Sequence, residues 1–265
     1  MNATNINSWA LVTGASSGIG FAIARELALR GYNLYMVSRS EKNISWAAER
    51  LRAETSVEIE AVATDLSASG SAQRLYERVC GEGRKIEILV NNAGMFIFRD
   101  VLECDAERIE QIMTLNMSTV AMLSRLFAAD MAKCGGGHIL NLSSYSVYMP
   151  LPGLAVYAAT KSFVKTFSIA FDKEVRDRGV TVTAVAPAGV ATDLYGLSHR
   201  MQRLGLKLGF LITPDNVARR SVSAMFRGRR YVVPDWWNRL WIPVLQNLGP
   251  ATTRFIRRKT MKFQK

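Results

Sequence analysis

The stretch Trp9–Gly31, WALVTGASSGIGFAIARELALRG, decides the fold. Its opening residues form a short apolar run of the length expected for a buried strand. From Phe21 onward apolar residues recur at helical spacing, as far as Gly31, which stands where a glycine C-cap belongs. Between the two lies TGASSGIG, with glycines at 14, 18 and 20. A buried strand that turns directly into a helix over three glycines lets the backbone approach a ligand closely. The first helical N–H groups then point at it, an arrangement suited to a pyrophosphate. Taken alone, the motif also fits a plain tight turn, so the rest of the chain has to discriminate.

Working outward, the same alternation repeats. NLYMVS, VEIEAVATD, IEILVNNAG, GHILNLSS and VTVTAVAP read as further strands. ISWAAERLRAET, AQRLYERVC, a long stretch over Glu107 to Lys133, and AVYAATKSFVKTFSIAFDKEVRDRG read as helices between them. Strand and helix in this rhythm predict βαβ units, hence a single α/β domain with a doubly wound parallel sheet and helices on both faces. The expected organisation is a nucleotide-binding and catalytic body over 1–226 and a basic, aromatic-rich C-terminal segment over 227–265 that is not an independent domain. No repeat, low-complexity tract or internal linker interrupts it.

The fifth predicted helix contains YAATKSF, which sets Tyr157 and Lys161 on one face, four residues apart. Several short signatures occur in register with this pair: TGASSGIG, NNAG at Asn91–Gly94, LN at Leu115–Asn116, and NLSS at Asn141–Ser144, whose last serine precedes Tyr157 by 13 residues. In these motifs, over about Ser8 to Thr192, the chain resembles the short-chain dehydrogenase/reductase family, whose glycine motif is TGxxxGxG. The resemblance implies a Rossmann fold and a nicotinamide cofactor. One departure is PAGVAT, which has Ala188 where the family usually has the first glycine of PGxVxT.

A carbonyl that accepts hydride at carbon must receive a proton at oxygen, and Tyr157 is the candidate acid. An unperturbed tyrosine titrates near pH ~10; moving it to ~7 takes about 4 kcal/mol of preferential phenolate stabilisation. The Lys161 ammonium, with an oxidised nicotinamide, supplies positive charge beside the oxygen. The resemblance adds that Lys161 grips the nicotinamide ribose, that Ser144 orients the substrate oxygen, and that Asn116 holds a water on the proton path. It also assigns cofactor contacts to Gly14, Ser16, Ser17, Gly18, Ile19, Gly20, Asp65, Leu66, Asn92, Ala93, Gly94, Val190 and Thr192. No metal is expected.

Cofactor choice is legible after the second strand, where MVSRSEK puts Ser38 at the position of the acid that binds a ribose 2′-OH, with Arg39 beside it. Ser38 does not repel a 2′-phosphate and Arg39 offers it a planar fork, so NADP(H) is expected. Met95, Phe96, Tyr148, Met149, Leu151, Tyr195 and Leu197 are mostly apolar or aromatic, which suits a lipophilic ketone, although they fit a core equally well. The segment from Gly31 to Ser67 resembles the branch of hydroxysteroid dehydrogenases and long-chain 3-oxoacyl reductases. The resemblance also implies a homodimer or homotetramer. The expectation is therefore NADPH-dependent ketone reduction, or oxidation of the matching alcohol. The competing class is a nucleotide-binding redox sensor without turnover.

Composition narrows the partners. The 265 residues carry a net charge of +12, but from Arg227 onward ten basic residues face the single acid Asp235, a net of +9 that leaves +3 for the body. No nucleic-acid reader motif accompanies these cations. Three cysteines, Cys80, Cys104 and Cys134, lie far apart outside any CxxC spacing, which suggests neither disulfides nor zinc. The polar N-terminus lacks a signal-peptide pattern, so the expected location is cytoplasmic. In the tail, Trp237, Leu240, Trp241, Val244, Leu245 and Leu248 recur at helical spacing across Pro243 and are followed by Arg254, Arg257, Arg258, Lys259 and Lys262. Such a mixture fits peripheral contact with an anionic membrane, a cover over the substrate pocket, or a subunit interface.

Overall fold

The structure, a computed structural model, describes residues 8–149, 151–192, 198–207, 209, 211–247 and 249–260. Its centre is a seven-stranded, wholly parallel sheet in the order β3-β2-β1-β4-β5-β6-β7. The strands are β1 (Trp9–Thr13), β2 (Asn33–Ser38), β3 (Ile59–Ala63), β4 (Ile86–Asn91), β5 (Gly137–Leu142), β6 (Val180–Val185) and β7 (Tyr231–Val232). Central parallel strands are covered on both faces, which is why β1 and β2 are almost continuously apolar and buried. The helices α1 (Gly18–Ala28), α2 (Glu41–Glu54) and α8 (Pro214–Phe226) contribute to the core on one face. On the other face the core takes side chains from α3 (Ser71–Gly81), α5 (Thr119–Lys133) and the end of α6 (Ala155–Val175). The doubly wound α/β expectation holds.

Three features go beyond it. The long helix over Glu107–Lys133 is built as α4 (Ala106–Met113) and α5, joined without a break by a π-helical turn, Thr114–Ser118, that contains Asn116. This run, Ala106–Lys133, is long and apolar enough to cross a membrane, and α5 packs against β4, β5 and α6. Second, the sheet takes in Tyr231–Val232, beyond residue 226, pairing them with Ala184 and Val185 of β6. Third, a fully buried carboxylate, Asp172 on α6, accepts from Arg176 (2.7 and 2.9 Å), from Arg230 (2.7 Å) and from the Val182 N–H (2.9 Å). These four bonds hold its pKa down against the opposing effect of burial, and they stitch α6 and β6 to the turn that leads into β7.

The C-terminal residues form α9 (Trp236–Gln246), which contains Pro243, and α10 (Pro250–Thr260). Tyr145 donates to the Asn238 carbonyl, and Arg257 pairs with Asp100, so both helices are tied to loops that follow the central strands β5 and β4. A shorter helix, α7 (His199–Lys207), precedes α8. Leu248, Tyr195 and Leu197 lie outside the described residues.

Candidate active site

The strand order reverses between β1 and β4, and a crevice lies there at the carboxyl ends of the strands. A cavity of about 940 Å³ occupies it, lined by Gly14, Ser16, Ser17, Gly18 and Ile19 from the first turn. Asn92, Ala93, Gly94 and Met95 line it after β4, Leu142, Ser143 and Ser144 at the end of β5 and just beyond it, Tyr157 and Lys161 from α6, and Pro187, Val190, Ala191 and Thr192 after β6.

The first turn is shaped by what has no side chain. Gly14 has φ +66°, and a Cβ there would lie 2.7 Å from Asn92 Nδ2 and 2.9 Å from Ala93 Cα. A Cβ on Gly20 would overlap the Gly14 carbonyl. The neighbouring loop is tied to this turn: Thr13 Oγ1 accepts from the Asn92 and Ala93 N–H groups (3.0 Å each), while Asn92 Nδ2 donates to the Thr13 and Gly14 carbonyls (3.0 and 3.1 Å). The result is a bare backbone cradle at the N-terminus of α1, of the kind that receives a dinucleotide pyrophosphate. Thr13 is the residue that the sequence reading passed over; its position as the last residue of β1 was the available signal.

Lys161 is buried, and its ammonium donates to the Leu142 carbonyl (2.9 Å) and stands 5.9 Å from the centroid of the Tyr157 ring. Burial pushes its pKa down to about 8. The Tyr157 ring meets Phe96 edge to face with centroids 4.9 Å apart, within a small apolar cluster that includes Leu151 and Leu154. Ser144 Oγ accepts from the Ser146 N–H (3.1 Å), which leaves its own hydrogen available to donate. Ser143 Oγ donates to the Lys161 carbonyl (2.7 Å), fixing α6 against the end of β5.

Asn116 is fully buried. Its amide donates to the Met95 carbonyl (3.0 Å) and to Thr160 Oγ1 (3.1 Å), and its Oδ1 accepts from the Met95 N–H (2.9 Å). Both amide hydrogens are therefore engaged, and the group holds Met95 at the cavity wall. A polar chain runs underneath: Asn91 Nδ2 donates to Asn141 Oδ1 (2.8 Å) and Asn141 Nδ2 to Ser168 Oγ (2.9 Å), linking β4, β5 and α6.

Ser38, Arg39, Asp65 and Leu66 lie apart from the cavity lining. Ser16 and Ser38 share a hydrogen bond (2.9 Å) that joins the glycine turn to the end of β2, where Arg39 is exposed. Asp65 accepts from the Ser67 hydroxyl and N–H (2.6 and 2.9 Å), which with the nearby Arg39 charge keep its carboxyl below the usual range. Leu66 is buried, its carbonyl receiving the Thr119 hydroxyl (2.8 Å). Of the candidate substrate contacts, Met95 lines the cavity and Phe96 and Leu151 pack near Tyr157. Tyr148 and Met149 instead pack with Tyr145, Ala186 and Val233 in a separate cluster. Ala188 brings no strain, because among the described residues no non-glycine has positive φ. Among the described residues no cluster of metal-ligating side chains occurs.

Comparison with known proteins agrees with this geometry. The family model described as short chain dehydrogenase matches residues 8–202. A very-long-chain 3-oxoacyl-CoA reductase from Bos taurus is 35% identical over 196 residues, 71% of this chain and 61% of the relative. A 17-beta-hydroxysteroid dehydrogenase type 3 from Danio rerio is 33% identical over 198 residues, 73% of this chain and 64% of the relative. The matched part thus spans about three fifths of these curated relatives. A short-chain dehydrogenase from Sphingobium yanoikuyae, solved in complex with NADPH, superposes with a TM-score of 0.77 at 30% identity, covering 92% of this chain and 97% of that one. The cradle, the Tyr157–Lys161 pair and the match over residues 8–202 lead to one conclusion: the chain belongs to the short-chain dehydrogenase family, a family of oxidoreductases.

Proposed function

We propose that the protein reduces a lipophilic ketone with NADPH, or oxidises the matching secondary alcohol, with Tyr157 as acid and base. The observation that carries the reading is the convergence of Ser144, Tyr157 and Lys161 on the cavity that the glycine cradle opens. Bound NADPH supplies the hydride that reduces the carbonyl carbon. The chain's own residues do the rest. Tyr157 delivers its phenolic proton to the carbonyl oxygen, Ser144 donates to the same oxygen and orients it, and Lys161 places positive charge beside the phenolate that Tyr157 becomes. With its amide engaged, Asn116 would hold a relay water through its second Oδ1 lone pair or its main-chain carbonyl in the π turn.

NADP over NAD is supported by Ser38 and Arg39, and by the NADPH complex of the structural relative. The lipophilic substrate is supported by the apolar group around Tyr157 and by the names of both curated relatives. Homo-oligomerisation through the two long helices is supported by exposed Met113 and Met122 and by the stacked row Phe163, Phe167 and Phe171, with centroids 5.7 and 5.3 Å apart. The proposed body spans 1–226, with Tyr231 and Val232 of the C-terminal segment added to its sheet; that segment's contact with an anionic membrane is a separate part of the proposal. A sensor without turnover is not favoured, because Tyr157 and Lys161 both line the cavity.

The test is a panel of ketosteroids, long-chain 3-oxoacyl thioesters and small ketones with NADPH, followed at the nicotinamide absorbance. Tyr157→Phe should lower turnover at least a hundredfold while NADPH binding stays nearly unchanged. A variant that kept more than about a tenth of the rate would remove Tyr157 from the proposed role.

A further inference from the structure

Among the described residues, several large apolar side chains stand exposed on segments that are tied to the loops of the cavity. Leu102 is fully exposed on the turn after Asp100; Met201 and Leu204 are exposed on α7; Leu240, Trp241 and Val244 on α9; and Phe255 on α10. Each of these segments is tied to the loops that form or follow the cavity walls. Gln202 of α7 lines the cavity and donates to the Thr192 carbonyl (3.5 Å). Tyr145, next to Ser144, donates to Asn238 of α9, and Arg257 of α10 pairs with Asp100 beside Leu102. The exposed apolar residues fall at i and i+3 on α7, and at i, i+1 and i+4 on α9, so each helix turns an apolar stripe outward instead of into the core.

The three helices carry charge of one sign, whereas the Leu102 turn is flanked by Asp100, Glu103 and Asp105. The α7 helix carries Arg200, Arg203 and Lys207 and no acid, and from Trp236 to the C-terminus there are seven cations and no acid. Arg200, Arg203, Lys207, Arg239, Arg254 and Arg258 are all exposed. Nucleic acid would use the cations and leave the apolar stripes in water. A second copy meeting this face would set like charges against each other. A surface that buries apolar side chains a few ångströms deep and meets cations with negative headgroups satisfies both features at once.

We infer that α7, α9 and α10 form a basic, apolar collar beside the cavity, which Gln202 of α7 lines, and that this collar docks on an anionic lipid membrane. The docking stands independently of the chemistry. The added consequence, that a lipophilic ketone enters from the bilayer without crossing water, rests on the reductase reading.

The test uses the full chain with vesicles of phosphatidylcholine alone and with added phosphatidylserine, scored by co-sedimentation over a salt series. Binding should require phosphatidylserine and weaken as salt rises. Arg254→Gln with Arg258→Gln should lower partitioning about thirtyfold, and Leu204→Asp on α7 and Leu240→Asp on α9 should each lower it tenfold or more. Circular dichroism and NADPH binding confirm that the variants fold, and their rates on a small water-soluble ketone should match wild type. Indifference to lipid charge, or full binding by Leu204→Asp, would overturn the collar. So would DNA retention that depends on the arginine pair in a chain that ignores vesicles, or an assembly in solution that Leu240→Asp dissolves. Wild-type protein that binds vesicles but reduces no ketone would refute the reductase reading alone.

Discussion

The Lys161 ammonium and the Leu142 carbonyl lie 2.9 Å apart, a charged donor from α6 set on the last residue of β5 inside a buried site. Apart from the cofactor, burial dominates, and the lysine loses its proton near pH 8 where an exposed lysine keeps it to about 10.5. Between those values the unfolded chain holds the proton and the folded one does not, so stability rises with pH across that window. It is lost again as pH falls through 8. The full effect is roughly 3 kcal/mol at 1.36 per unit. The difference in melting temperature between cofactor-free wild type and Lys161→Met should therefore grow in favour of wild type from pH 8 to 10. A flat difference would show that the ammonium is not penalised by burial.

Arg39 is exposed at the end of β2, with Asp65 near enough to feel its charge. Replacing it with alanine should weaken NADPH about tenfold to a hundredfold, the size of one charged hydrogen bond, and NADH hardly at all. Titrating both cofactors by fluorescence checks this, and equal losses would reassign Arg39.

Thr13 Oγ1 is the acceptor for two main-chain N–H groups of the loop that lines the cavity. Thr13→Val keeps the shape and removes the acceptor, which should destabilise the fold by about 2–4 kcal/mol. The urea midpoint should fall with the slope unchanged, and NADPH affinity should fall with it. A midpoint that stayed within error of wild type would mean that water replaces the hydroxyl.

Gly20→Ala places a methyl group against the Gly14 carbonyl and the Asn92 amide, both fixed by hydrogen bonds. Overpacking of this kind costs about 1–3 kcal/mol, and the displaced turn should no longer accept NADPH. Calorimetry with and without cofactor reads both, the expected result being a lowered melting temperature that NADPH does not raise.

The sheet and the Tyr157–Lys161 pair were legible because each rests on local spacing: apolar runs of strand length, and two side chains one helical turn apart. What stayed hidden depends on distant partners or on very short elements. Tyr231–Val232 is too brief to show alternation, and its place is set by β6 and by Arg230 reaching Asp172 across 58 positions. The π turn at Thr114–Ser118 leaves no mark in a pattern that reads as helix throughout. Asn116 was recognisable as a site residue, but its hold on Met95 and Thr160 exists only once the loop after β4 and helix α6 have both packed beside the turn. Tyr148 and Met149, apolar and well placed in sequence for a substrate wall, pack mainly with core residues because Tyr148 finds the Tyr231 hydroxyl at 2.9 Å.

The reversal of strand order has a consequence for the chain as it is made. The cradle at Gly14 leaves the ribosome well before Asn92–Gly94, which completes it, and β1 has β4 as its neighbour on that side. The turn that opens the nucleotide site must therefore wait, unfinished, through more than seventy residues of synthesis, closing a long loop before its central pairing repays the lost entropy. Nascent chains that end before Ile86 should stay open to protease whether or not NADPH is supplied, and protection by the nucleotide should begin only after β4 has emerged.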